Sequence, residues 1–198
     1  SRSRIVFCLL ENTIDSLIGY LSLILNGAVP FMLSSSISRD KLIDLVDIYK
    51  PSLIWLPSGM SAAVFEQKKP LMAQGSYELL DLGHPLVPIH SSLALLLGTS
   101  GSTGSSKLVR LSHENIWSNA KSIAQYLELD SKEIPVTTLP PSYTFGLSVI
   151  HSHILVGATV AVTNKSFFEK EFWNFIRDVN VTSLSGVPYH FEILKRLR

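Results

Sequence analysis

The chain has 198 residues, 46% of them hydrophobic and only 17% charged, with 17 basic against 16 acidic side chains and a net charge of +1. That balance excludes an intrinsically disordered segment and supplies no basic excess for gripping nucleic acid. A single cysteine, Cys8, excludes an internal disulfide and points to a reducing, cytoplasmic setting.

In chain order, Ile5 to Leu10 is an apolar run of strand length. Asn12 or Thr13 can cap a helix to about Asn26, where Gly27 ends it, and Val29 to Leu33 is a second strand. Ser38 caps a helix with Leu42, Leu45, Val46 and Tyr49 on one face, Pro51 stops it, and Leu53 to Leu56 form a third strand. This βαβαβ order predicts parallel strands with right-handed crossovers. The stretch 57–92, rich in Pro and Gly, reads as a connecting region with one strand at Tyr77 to Leu82.

A second half follows: strands at Leu93 to Leu97 and Leu108 to Leu111, then a helix capped by Ser112 and running to about Leu129. Val136 to Leu139, Thr159 to Thr163 and Thr182 to Gly186 read as strands. Gly146 to Val156 and a Ser166-capped stretch to Val179 read as helices, and a last helix opens at Tyr189. The expectation is an α/β protein with parallel-rich sheets flanked by helices in two βα halves: 1–92, and 93–198. Two charge-free stretches, 16–38 and 134–164, are interrupted by Asn26-Gly27 and Pro30, and by Pro135, Pro140, Pro141 and Gly146. They read as buried strands and helices, with no membrane span.

The loop between Leu97 and Leu108 is the most informative segment. Gly98, Gly101 and Gly104 allow close backbone approach, the intervening Thr and Ser residues and chain amides can donate to phosphate oxygens, and Lys107 closes the loop with a point charge. Its glycine spacing fits neither the nucleotide-triphosphatase loop nor the dinucleotide fingerprint, and no window supplies a nucleophile elbow. A flexible Gly/Ser linker is the competing reading; the loop's position between two apolar runs and its terminal lysine argue against it.

The run Thr99-Ser100-Gly101-Ser102-Thr103-Gly104-x-x-Lys107 resembles the phosphate-loop signature of the adenylate-forming (AMP-binding) enzymes, which include acyl-CoA synthetases and nonribosomal adenylation domains. Leu139-Pro140-Pro141-Ser142-Tyr143-Thr144-Phe145-Gly146-Leu147 is similar to the family's acyl-pocket element, and Ser185-Gly186-Val187-Pro188 to its Gly-Val-Pro turn. Glu11-Asn12 and Tyr20 to Pro30 also fit the family's first βαβ unit. The resemblance implies the N-terminal part of the family's large domain. It assigns the ATP phosphates to Thr99, Ser100, Gly101, Ser102, Thr103, Gly104 and Lys107, with Lys107 stabilising charge during catalysis. It assigns the acyl pocket to Tyr143, Phe145, Gly146, Gly186, Val187 and Pro188.

The implied cofactors are ATP, Mg2+ and coenzyme A. The implied partners are a carboxylic acid, coenzyme A or an acyl or peptidyl carrier protein, and the C-terminal portion of the same enzyme. The resemblance expects the family's magnesium-binding Tyr-Gly-x-Thr-Glu element and mobile C-terminal domain beyond residue 198, so the chain by itself is expected to be inactive. A non-catalytic nucleotide- or protein-binding module is the alternative. Three departures stand out: Ser106 where the family has proline, Leu108 where it has glycine, and Tyr143 where it often has histidine.

The remaining polar residues carry less. His151 and His153, two apart on a helix, point to nearly opposite sides and make no metal pair. His84 and His90 are expected at the surface and His113 in a helix's first turn. Ser38-x-x-Lys41 matches a penicillin-binding motif, but helix capping explains Ser38.

Overall fold

In a computed structural model, residues 4–98 and 108–196 are described. The chain divides into two compact units, Ser1–Asn115 and Ile116–Arg198.

The first unit is built on a seven-stranded sheet. Its start is the expected alternation: β1 (Ile5–Leu10), α1 (Ile14–Leu25), β2 (Val29–Ser34), α2 (Arg39–Tyr49) and β3 (Leu53–Pro57). Thr13 Oγ1 accepts from the Ser16 amide at 3.3 Å to open α1. Gly27, at φ +74°, closes it in a Schellman arrangement: its amide donates to Ile24 O and that of Ala28 to Leu23 O. Ser38 Oγ caps α2 by accepting from the Lys41 amide at 3.4 Å, which settles its role as structural.

β1 lies between β2 and β3, parallel to both, and is buried from Val6 to Leu10. Phe7, Leu9, Phe31, Leu33, Ile54 and Leu56 pack with Leu42 and Leu45 of α2. Trp55, alternating with Ile54 and Leu56, faces α1 instead and donates Nε1–H to Ser16 O at 3.2 Å. A Cβ at Gly19 would sit 2.1 Å from the Trp55 ring. The glycine therefore lets α1 lie directly on the indole.

The stretch 57–92 is more ordered than its composition suggests. It forms α3 (Ser58–Val64) and a hairpin of β4 (Pro70–Gln74) and β5 (Tyr77–Asp81), with β5 antiparallel to β3. The hairpin turn is held to α1, where Asp15 Oδ2 accepts from the Ser76 amide and hydroxyl at 3.0 and 3.2 Å. The strand expected at Tyr77 is present. α3 and β4 were not legible, because α3 is two turns long and every β4 residue is exposed, so neither carries an apolar period.

β6 (Leu93–Gly98) joins the other side of the sheet parallel to β2, and β7 (Leu108–Ser112) returns antiparallel to β6. The strand order is β4-β5-β3-β1-β2-β6-β7. The sheet thus has a parallel centre with antiparallel flanks, and the first strands of the expected second half belong to the first unit's sheet.

Helix α4 (His113–Tyr126) opens with a reciprocal cap: the Asn115 amide donates to Ser112 Oγ at 3.1 Å, and Asn115 Oδ1 accepts from the Ser112 amide at 2.9 Å. It ends three residues before the expected Leu129.

The second unit contains β8 (Pro135–Val136), α5 (Thr144–Leu155), α6 (Lys170–Asp178), β9 (Ser183–Leu184) and α7 (Pro188–Arg196). β8 pairs in parallel with β9, and a single parallel bridge joins Val136 to Ala161. The three expected strands therefore shrink to two residues, one bridge and two residues. Side chains take over where the ladder stops. Thr137 Oγ1 donates to Thr163 O and accepts from the Thr163 amide, and Thr182 Oγ1 accepts from the Ile134 amide. Val136, Ala161, Phe167 and Phe172 form the core of this unit. Ser166 does not cap α6, whose N-cap residue is Glu169.

Among the described residues no helix is long and apolar enough to cross a membrane.

Candidate functional site

The four parallel strands β1, β2, β3 and β6 run the same way, so Leu10, Ser34, Pro57 and Gly98 end at one edge of the sheet. Ligands of open α/β sheets bind outside this carboxyl edge. Gly98 and Leu108 are antiparallel register partners, so the nine residues between them leave and rejoin the sheet at one point of that edge. Those nine include every residue assigned to the phosphates, Thr99, Ser100, Gly101, Ser102, Thr103, Gly104 and Lys107. They lie outside the described residues. Their anchors are described: Gly98 is exposed, and Leu108, where the family has glycine, packs half-buried against the core.

The two later motifs meet in the second unit. Leu139, Gly146 and Ser185 line a common cavity of about 10 Å³, which is close to the least that admits a water molecule. Thr138 Oγ1 donates to Ser185 O, tying the start of one motif to the start of the other. The Tyr143 amide donates to Pro140 O at 3.1 Å and the Leu147 amide to Tyr143 O at 3.0 Å, so the Leu-Pro-Pro turn feeds directly into α5. A Cβ on Gly146 would lie 2.4 Å from Pro140 O and 2.8 Å from Leu139 O. Both are backbone atoms, so only glycine fits this close approach.

Tyr143 and Phe145 are 56% and 46% exposed. Val187 and Pro188 are also exposed, and Pro188 takes the first position of α7, where its missing N–H costs nothing. Gly186 is half-buried against His190. The described motif residues thus divide into a packed corner, centred on Gly146, and a solvent-facing set of Tyr143, Phe145, Val187 and Pro188.

His190 escaped the sequence reading. Its ring lies over Phe167 with centroids 4.7 Å apart, and its Nδ1 is buried without a partner among the described residues. Its place four residues after Gly186 in the motif helix was the available signal. Thr138, just before Leu139, carried none.

The other histidines act locally. His84 is half-buried rather than exposed, because Nδ1–H donates to Pro51 O at 2.8 Å. His153 donates Nδ1–H to Val149 O at 2.8 Å. Burial holds the His151 pKa down at about 4, so its ring is neutral at pH 7. Burial also pushes the Cys8 thiol up, leaving it inert as a nucleophile. Among the described residues no group of three or more His, Cys, Asp or Glu is placed to hold a metal ion.

The chain matches the family "AMP-binding enzyme" over residues 2–198. It belongs to that family. Its relatives include the long-chain fatty acid transport protein 2 of Rattus norvegicus, 31% identical over 105 residues that make up 52% of this chain and 16% of that protein. The acyl-CoA ligase sidI of Aspergillus fumigatus is 31% identical over 100 residues, 50% of this chain and 17% of that protein. Among solved structures, the o-succinylbenzoate coenzyme A synthetase of Bacillus subtilis in complex with ATP and magnesium ion superposes with a TM-score of 0.74 at 19% identity. That match covers 96% of this chain and 52% of that one. The AMP-binding enzyme fold is thus shared, and the chain spans about half the length of that solved structure.

Proposed function

We propose that this AMP-binding chain is the ATP-handling N-terminal portion of a ligase that activates a carboxylic acid. The observation that carries the reading is the Gly98–Leu108 pairing, which returns a hydroxyl- and glycine-rich segment ending in Lys107 to the carboxyl edge of a parallel sheet. In the proposed reaction a carboxylate oxygen of the acid attacks the α-phosphorus of ATP. The bond from that phosphorus to the bridging oxygen breaks, and pyrophosphate leaves with the electron pair. A thiol, of coenzyme A or of a carrier protein, then attacks the acyl carbon and AMP departs.

Charge grows on the leaving pyrophosphate, so fixed donors and a cation there lower the barrier. Thr99, Ser100, Gly101, Ser102, Thr103 and Gly104 would supply the donors and Lys107 the cation. ATP would enter as its magnesium complex. Tyr143, Phe145, Gly146, Gly186, Val187 and Pro188 would form the wall that keeps water from the acyl adenylate. The setting proposed is cytoplasmic, and the isolated chain is proposed to be inactive.

The test is carboxylate-dependent exchange of labelled pyrophosphate into ATP by the whole enzyme, across a panel of acids. Exchange is expected, and Lys107→Ala should cut it by at least about 100-fold with the fold unchanged by circular dichroism. A second reading, a nucleotide- or protein-binding module without turnover, draws on Ser106 and Leu108, where the family has proline and glycine. A folded whole protein that binds ATP but exchanges nothing with any acid would favour it.

A further inference from the structure

We propose that the first unit carries a second ligand site, for a small carboxylate with an apolar body, at the end of the sheet opposite the Gly98–Leu108 pair. A groove of about 530 Å³ opens there, within the ~300–1,000 Å³ range of small-molecule sites. It is reached where β1 and β6 begin and β7 ends, at Ile5, Leu93 and Ser112. Gly98 lies at the far end of β6, about 17 Å from Leu93 at the usual strand rise.

The lining has two characters. Val87, Ile89, Leu93 and Leu111 make an apolar wall. Val87 is exposed and Ile89, Leu93 and Leu111 are half-buried, so each keeps part of its apolar surface open to the groove. The charged or titratable lining groups are Arg110 and His90, with no carboxylate among the lining residues. Arg110 has no ion-pair or hydrogen-bond partner among the described residues. His90 is held at the rim by a 2.8 Å contact between Nδ1 and Ser92 Oγ. The groove also meets the start of α4, a 14-residue helix whose positive end adds to the same field.

A guanidinium fork without a partner suits a planar carboxylate, which accepts two parallel N–H bonds. The apolar wall then rewards an attached hydrocarbon body and gives a bare inorganic anion nothing. Together these features select an amphiphilic monocarboxylate over phosphate. The site does not depend on the proposed ligase chemistry, since none of its residues belongs to the three motifs.

The probe is octanoate, titrated onto the 198-residue chain and followed by backbone amide shifts. The expected shifts cluster at 87–93 and 110–115. Arg110→Gln should weaken octanoate by about tenfold without moving the thermal midpoint, as loss of one charge-assisted pair would. Lys107→Ala should bind it as the wild type does, and octanol and inorganic phosphate should both bind more weakly. Absence of shifts at these amides, or unaltered affinity in Arg110→Gln, would overturn the proposal. Phosphate as tight as octanoate would reduce the groove to a generic anion patch. Shifts confined to 139–147 would assign the ligand to the acyl pocket and overturn the second site.

Discussion

The two units reach order by different means. In the first, β1 is paired along its length to β2 and buried on both faces, so backbone ladders and apolar packing specify it together. In the second, β8 and β9 are two residues each, and threonine hydroxyls complete the bonding that longer strands would supply. The contrast teaches that a buried parallel sheet is written in apolar runs. A unit held by side-chain-to-backbone bonds is written in single polar residues whose partners lie 26 to 49 positions away.

The contrast can be sharpened with substitutions read by hydrogen exchange in each unit, which separates local from global loss of protection. The largest effect is expected in the first unit. Trp55→Ala removes a fully buried indole that also bonds Ser16 O, and should cost about 3–5 kcal/mol. Protection should fall across β1, β3 and α1.

In the second unit, the largest effect should come from pH. The folded His151 pKa is about 4, below its ordinary 6.5. The unfolded chain therefore binds the proton first as pH falls. Stability is full above pH 6.5, declines by up to about 3 kcal/mol between 6.5 and 4, and levels off below that. Urea midpoints against pH should show this slope, and His151→Gln should flatten it.

Gly146→Ala drives a Cβ into two carbonyl oxygens that cannot move aside. A loss of about 1–3 kcal/mol is expected, confined to α5 and the turn before it. Thr138→Val should cost less, about 1–2 kcal/mol, by leaving Ser185 O without its donor. If Thr138→Val instead proves neutral while Trp55→Ala remains costly, the hydroxyl network is incidental and the distinction between the units fails.

Much of the first unit was legible in the sequence for the same reason that it is stable. The runs Ile5–Leu10, Val29–Leu33 and Leu53–Leu56 are buried centres of a sheet, and Thr13, Gly27 and Ser38 mark helix ends by local chemistry alone. The β4 strand was hidden because an exposed edge needs no hydrophobic period, and α3 because it is too short to show one. In the second unit Thr159 to Thr163 has the composition of a strand, yet only Ala161 makes a bridge. The motifs at 139–147 and 185–188 were legible, and the structure adds that Leu139, Gly146 and Ser185 share one packed corner. For His190 the sequence offered only its place four residues after Gly186, since the orphaned Nδ1 arises once α7 docks over Phe167.

Whether Thr99–Lys107 grips nucleotide is decided most directly by titrating magnesium ATP onto the wild-type chain and onto Lys107→Ala. The account predicts saturable amide shifts centred on residues 98–108, with affinity in the variant weaker by about tenfold or more. Shifts that avoid this segment, or equal affinity in the two proteins, would contradict it.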